Sequence, residues 1–563
     1  MNPPSLPTAP AVRHPFWSVW SNPIFLRYCR SRMRPAPLGI WLLLTLLIAG
    51  FFVALSVAIG SRTHYNPMDA ARGPIIPLFF LQGIILFAIG TAQASGGMTA
   101  ERDEGVIDYQ RLIPMSPLAK VLGYLFGLPV REYVLFLATM PFMAWCLWRG
   151  EVSWQVWLPL YVVLFTTTIL YHLTGLLTGT AVRNRRWAFL TSIGLVLLLY
   201  TVIPQLAKFG LVSLNYLTIS PVFGSLFSEI LPRDLGSMMT DDAENSATRV
   251  RFFHFNFSPF TFTLFAQGGF ILVMCVMLCR KWRRHESHLL DKLWAVGFFG
   301  WLQLLFLGSA LPLVQSGRLF PSRELQNRFI EGLPWQPDPS EALALVSIYG
   351  IVTLLLLLAF ATIITPTPER QFQGWRRARK LGLKRIPPLT DAGSAWWFAL
   401  AMAAIGGAGW FAFARGTLES HWFPEQSVPL MLLAGYCGLL AAITLACQSL
   451  LETRGTKMTF LAAIVIGVVP LMVGSILCIV SEALYPIGIW VLGISPLVLP
   501  VYSADLLKIV DLPTSISNAV PQAFYFWTAA ISAAAIWLTF NLVTSRKTMA
   551  KATLAVSEPP GIE

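Results

Sequence analysis

The sequence predicts an all-α polytopic membrane protein of about twelve transmembrane helices, arranged as two parallel six-helix repeats. Three observations predict it. The chain is 55% hydrophobic and only 12% charged, with a mean hydropathy of +0.62. A water-soluble surface for 563 residues cannot be built from that composition. Apolar stretches of about 20 residues recur from end to end, each long enough to cross a hydrocarbon core of roughly 30 Å as a helix. The second half also repeats the landmarks of the first. Glu369-Arg370 follows Glu101-Arg102 by 268 positions, and Arg454-Gly455-Thr456-Lys457 follows Arg183-Asn184-Arg185-Arg186 by 271. Ile494-Ser495-Pro496 follows Ile219-Ser220-Pro221 by 275, and Arg546-Lys547 follows Arg280-Lys281 by 266. Four landmarks at nearly one offset mark a duplicated unit.

The elements follow in order. The tail MNPPSLPTAP is Pro-rich and reads as disordered. HPFWSVWSNPIFLRYCRSRMRP mixes Trp, Phe and Leu with Arg, the pattern of a helix lying in the membrane interface. The expected spans are 38–60, 74–95, 130–148, 155–181, 187–207, 259–279, 292–316, 342–365, 394–414, 427–451, 457–481 and 521–544. The first is too long for a secretory signal, and no small-x-small site follows it before Arg62. A second interfacial prelude, KWRRHESHLLDKLW, precedes the seventh span. LVSLNYLTISPVFGSLFSEILP and YPIGIWVLGISPLVLPVYSADLLKIV are apolar but broken by Pro221, Pro496 and Pro500. Proline interrupts the helical ladder, so these read as short re-entrant helices packed against protein. The domains are 1–37 (tail and interfacial helix), 38–285 and 286–545 (two six-span halves), and 546–563 (C-terminal tail).

The net charge of +13 is distributed by side, which argues for a membrane and against nucleic acid. In a twelve-span topology, 28 of the 41 basic residues fall in one set of connections and 12 in the other. That excess places the first set, and both termini, in the cytoplasm of a cell whose inner membrane holds the chain. The basic stretches Arg280–Arg284 and Arg376–Lys380 suit contact with anionic lipid, and Gln373–Lys384 reads as an amphipathic helix on the membrane surface. The seven cysteines form no CxxC pair and lie mostly in apolar runs, so no metal cluster or disulfide framework is expected.

The segment after the second span reads GGMTAERDEGVIDYQRLIPMSPLAKVLGYLFGLPV, residues 96–130. Its Glu101-Arg102-Asp103-Glu104-Gly105-Val106-Ile107-Asp108, its Leu112-Ile113-Pro114-Met115-Ser116-Pro117 and its Leu122-Gly123 resemble the cytoplasmic loop of type-2 ABC transporter permeases. Tyr124 stands where that pattern has Lys. The resemblance implies the membrane subunit of an exporter, with two permease halves fused on one chain. It implies a coupling helix docked on a dimeric ATPase partner, using Glu101, Arg102, Asp103, Glu104, Gly105, Asp108, Pro114, Ser116 and Pro117. The second copy keeps only Glu369 and Arg370 before a strongly basic run, so unequal coupling of the two halves is expected.

No lysine follows a glycine, so the chain has no P-loop. It is read as no enzyme and as carrying no cofactor, with ATP and magnesium bound by the partner. No catalytic residues are assigned. Gln93, His172, Gln303 and Gln448 are intramembrane polar groups of the kind that line a substrate path or bond between helices. The exported substrate is not legible. A twelve-span secondary transporter and a membrane-embedded lipid-linked transferase are the alternatives. The first wants ionisable residues in mid-span, the second a His or Asp pair at a span end.

Overall fold

The computed structural model describes residues 19–62, 66–182, 184–232, 249–284, 286–323, 335–424, 426–507 and 514–555. The N-terminal tail, Arg183 and the end of the C-terminal tail lie outside the described residues. Among these residues, eleven helices are long and apolar enough to span a membrane. One of them, Met431–Val480, is 50 residues long. At 1.5 Å per residue it would run about 75 Å, more than twice a bilayer core. It bends at Gly455 (φ 79°, ψ 178°), a conformation open essentially only to glycine. It therefore contains two of the expected spans, 427–451 and 457–481, and the protein is an all-α polytopic membrane protein of about twelve helices.

The chain divides into two units. The first comprises 1–204, 214–250 and 256–286; the second comprises 205–213, 251–255 and 287–563.

In the first unit, α1 (Pro23–Arg32) starts where the Asn22 side chain accepts from Ile24 N–H and Pro23 presets the first turn. Then come α2 (Pro35–Arg62) and the long α3 (Pro67–Asp103). Gly105 at φ 73° ends α3, its N–H bonding Arg102 O at 3.0 Å. Two short helices follow: α4 (Val106–Leu112) and α5 (Pro117–Gly127), the latter capped by Ser116 and opened by Pro117. The remaining spans are α6 (Val130–Arg149), α7 (Trp154–Ala181), α8 (Arg185–Thr201) and α10 (Pro259–Arg283). Short α9 (Ser220–Ile230) lies between the last two. A two-strand hairpin, β1 (Val250–Phe252) and β2 (Phe255–Phe257), precedes α10, and its residues 251–255 belong to the second unit.

The tightest packing of this unit is between α3 and α7. Gly175 and Gly179 form a Gly-x-x-x-Gly face on α7. A methyl built on them would stand 2.7 Å from Thr91 O and 2.6 Å from Ser95 O. Small residues let two backbones approach this closely inside a membrane. One turn earlier on the same face, His172 Nε2 lies 2.9 Å from Leu86 O. Leu86 belongs to Ile84–Gly90, a π-helical stretch of α3 in which the wider ladder frees backbone groups.

The second unit contains α11 (Lys292–Gln315), α12 (Pro339–Ile364), α13 (Pro368–Lys380), α14 (Trp396–Leu418) and the bent α15 (Met431–Val480). Short α16 (Tyr485–Leu492) and α17 (Leu499–Asp505) lead to α18 (Thr514–Ala555). One expectation needs correcting. KWRRHESHLLDKLW forms no interfacial helix among its described residues: Lys281–Arg283 finish α10 and α11 begins only at Lys292. The Asp291 side chain caps α11, accepting from Lys292 N–H at 2.9 Å.

Both proline-broken segments dip back along their neighbours. In the second unit, Ser495 Oγ donates to Gly467 O at 2.7 Å. Gly467 lies thirteen residues before the end of α15, so the returning chain reaches about 20 Å down that helix. In the first unit, Tyr171 Oη donates to Leu217 O (3.2 Å) and the Gln267 amide to Tyr216 O (3.3 Å). These bonds satisfy carbonyls that no lipid could.

Candidate functional site

The resemblance-bearing segment forms a short polar hub at the basic end of the spans. Glu101, in the last turn of α3, is 6% exposed. Its carboxylate is paired with Arg27 of α1. Tyr124 Oη stands 2.5 Å from Glu101 Oε2 and 2.6 Å from the Gln110 side-chain amide. Burial, then the charge of Glu101, push the Tyr124 phenol well above its ordinary value, so it keeps its proton and donates it to the carboxylate. Lys120 reaches from α5 to the last turn of α4, donating to Gln110 O (2.8 Å) and Arg111 O (3.2 Å). A cation on those carbonyls satisfies groups that the helix leaves open and suits its negative end. Asn22 ties α1 to the same place, donating to Ala119 O at 2.7 Å.

Arg102 points the other way. It donates to Gly179 O (3.3 Å), Thr180 O (3.1 Å) and Val182 O (2.8 Å), and so caps the end of α7. It also pairs with Asp103 at 2.9 Å. The segment is thus held from behind by α1, α3, α5 and α7. What it presents outward is a ridge: Asp103, Glu104, Gly105, Asp108, Tyr109, Leu112, Pro114 and Ser116 are exposed, and Pro117 is half-buried. Asp108 pairs along α4 with Arg111. Tyr109 and Leu112 are 71% and 81% exposed. Over its seven residues, α4 buries Ile107 and Gln110 and offers acid and apolar groups on its other face.

The site residues therefore sort into two sets. Glu101 and Arg102 position the segment; Glu104, Asp108 and their neighbours face outward. Tyr109, Gln110, Lys120, Tyr124 and Arg27 were missed in the sequence. The helical spacing 107/110 against 108/109/112 was the available signal.

Glu369 and Arg370 open α13, but no equivalent hub forms around them. Glu369 is exposed. The buried carboxylate of this unit is Glu452 of α15, which accepts from Gln371 (2.6 Å) and from Arg546 of α18 (Nε, 3.0 Å). Arg370 Nη1 lies 3.0 Å from His288 Nδ1, and His288 Nε2 lies 3.0 Å from Asp391 O. Burial, then the charge of Arg370, push His288 down to about 4 from 6.5. Between those values the unfolded chain binds a proton that the folded chain refuses, so stability falls as pH falls from 6.5 toward 4. His288→Asn is expected to flatten the melting-temperature profile in that window and leave it unchanged above pH 7.

Lys292 closes the same region. Its ammonium donates to Pro388 O (2.6 Å), Thr390 O (2.8 Å) and Gly393 O (2.8 Å), with Ser394 O at 3.1 Å. Lys292→Met leaves those carbonyls without a cation, at a cost of roughly 3 kcal/mol. The expected result is amide exchange about a hundredfold faster at Thr390 and Gly393.

The path candidates are mostly held by neighbours. Arg32 donates to Gln93 Oε1 at 2.8 Å. His172 lies between Leu86 O and Tyr133 Oη, each at 2.9 Å. Gln303 accepts from Tyr349 at 2.7 Å and donates to Thr353 at 3.2 Å. These are bonds between helices. Gln448 differs: it is buried, and neither end of its amide has a partner among the described residues. Among the described residues, no three His, Cys, Asp or Glu side chains gather as metal ligands. Compared with family models, curated proteins and solved structures, the chain matches none.

Proposed function

We propose that this chain is the membrane permease of an ABC-type export system and is driven by a separate ATPase. The observation that supports it is the ridge at Glu104–Leu112, an acidic and apolar surface on a short helix at the basic end of the spans. Such a ridge suits a cleft in a partner: charge sets its register and apolar contact gives affinity. The hub behind it connects α4 and α5 to α3 and α1, so force on the ridge reaches the span α3 and the interfacial helix. The excess of basic residues at this end supports a cytoplasmic side for it and for both termini. Both halves of the chain serve one permease, ATP and magnesium reside on the partner, and the first half is the stronger handle. A cysteine at Tyr109, oxidised against cysteines in the co-purified ATPase, is expected to cross-link; a cysteine at Phe255 is not. Equal cross-linking at both positions would sink the proposal.

A further inference from the structure

A second charged cluster lies in the first unit, apart from the ridge. Arg32 ends α1, Arg131 opens α6 and Arg185 opens α8. Arg32 and Arg185 lie over two adjacent glycines of α3. A methyl built on Gly97 would stand 3.4 Å from Arg32 Nη2, and one on Gly96 would stand 4.0 Å from Arg185 Nε. Arg32 is fixed there by its bond to Gln93. Arg131 is fixed by Glu132 (2.6 Å) and by the Trp41 ring, 5.2 Å away. Glu132 is the one carboxylate among these groups, against three guanidinium groups.

We propose that this cluster binds the phosphate of an anionic phospholipid from the adjoining leaflet. Guanidinium groups recognise phosphate oxygens in pairs of parallel hydrogen bonds. The neighbourhood decides between a lipid and a free phosphate. Phe189 lies beside Gly96, with its ring 3.9 Å from a methyl built there. Trp41, Trp187, Phe189 and Leu190 expose apolar surface on α2 and α8. A headgroup on the arginines can therefore lay its chains along helices that are already bare to lipid. Burial, and then the like charges of Arg131 and Arg185, lower the pKa of Arg32, while Glu132 raises it. An added anion relieves that repulsion. The inference does not depend on any ATPase partner.

The test is a melting titration of the purified full chain in detergent. The probes are dioleoyl phosphatidylglycerol, dioleoyl phosphatidylcholine and soluble glycerol 3-phosphate. Phosphatidylglycerol is expected to stabilise the wild type; the other two are not. Arg185 is exposed, so Arg185→Gln is expected to melt normally without lipid. It should weaken the phosphatidylglycerol response about fivefold, and Arg32→Gln with Arg185→Gln about twenty-fivefold. Arg149→Gln, an exposed arginine at the other end of α6 from Arg131, should leave it unchanged. An unchanged titration for Arg185→Gln overturns the site. An equal response to glycerol 3-phosphate overturns the lipid as its ligand.

Discussion

Replacing Gly179 by alanine is expected to unseat α7 from α3, whereas Gly194→Ala on α8 is expected to be harmless. The two changes share one chemistry. In a helix interior, alanine is favoured over glycine by about 1 kcal/mol, so propensity predicts a gain at both positions. The surroundings differ. A methyl at Gly194 meets nothing within 4 Å. A methyl at Gly179 stands 2.6 Å from Ser95 O and 2.8 Å from Met98 Cβ. The first of these is backbone, which cannot rotate away, so the helices must part. Parting them also strains Thr99 Oγ1 to Gly179 O (3.2 Å) and the three carbonyl bonds of Arg102. Overpacking of this kind costs about 1–3 kcal/mol before those bonds are counted. Melting in detergent should show a fall for Gly179→Ala and none for Gly194→Ala. Equal melting temperatures would show that the α3–α7 contact is looser than the structure has it.

The same residues show how much was legible in the sequence. Hydropathy gave the spans because a bilayer accepts only long apolar helices, and that rule is local. The break at Gly455 was legible too, since a basic turn with glycine interrupts an apolar run. The prolines at 221, 496 and 500 marked broken segments, and bonds to Tyr171, Gln267 and Gly467 hold those segments against neighbouring helices. The hub was not legible. Glu101 and Tyr124 are 23 positions apart, Arg27 and Glu101 are 74 apart, and only tertiary packing brings them together. The duplication misled most at the acids. Glu369 matches Glu101 by offset, yet the buried carboxylate comes from Glu452 on another helix. The basic run of α13 has its own cause: its buried face is Gln371, Gly374 and Ala378, so Arg376 and Arg377 are turned outward.

On the proposed function, reversing charge on the ridge is expected to uncouple the chain from the ATPase partner without unfolding it. Glu104 and Asp108 are exposed, and among the described residues Asp108 pairs along its own helix with Arg111, so Glu104→Lys with Asp108→Lys removes little from the fold. Tyr109 stands out from the same turn, and its loss leaves no cavity. In an interface these groups count differently. A tyrosine seated in a partner's pocket is worth about 2 kcal/mol, so Tyr109→Ala should weaken ATPase binding about thirtyfold. The charge reversal should slow association, and raising the salt should narrow its difference from wild type. Glu369→Lys is the matching change in the second unit. Unequal halves predict that it leaves affinity within about twofold, as surface substitutions usually do. Gly105→Pro belongs to another class. It forces a φ of 73° toward the proline value and removes the N–H that bonds Arg102 O, so it should disorder the ridge itself. Binding and stimulated ATP hydrolysis in reconstituted vesicles separate these cases. If the ridge variants bind and stimulate as the wild type does, the partner engages another surface, and the acidic helix is only a solvated turn.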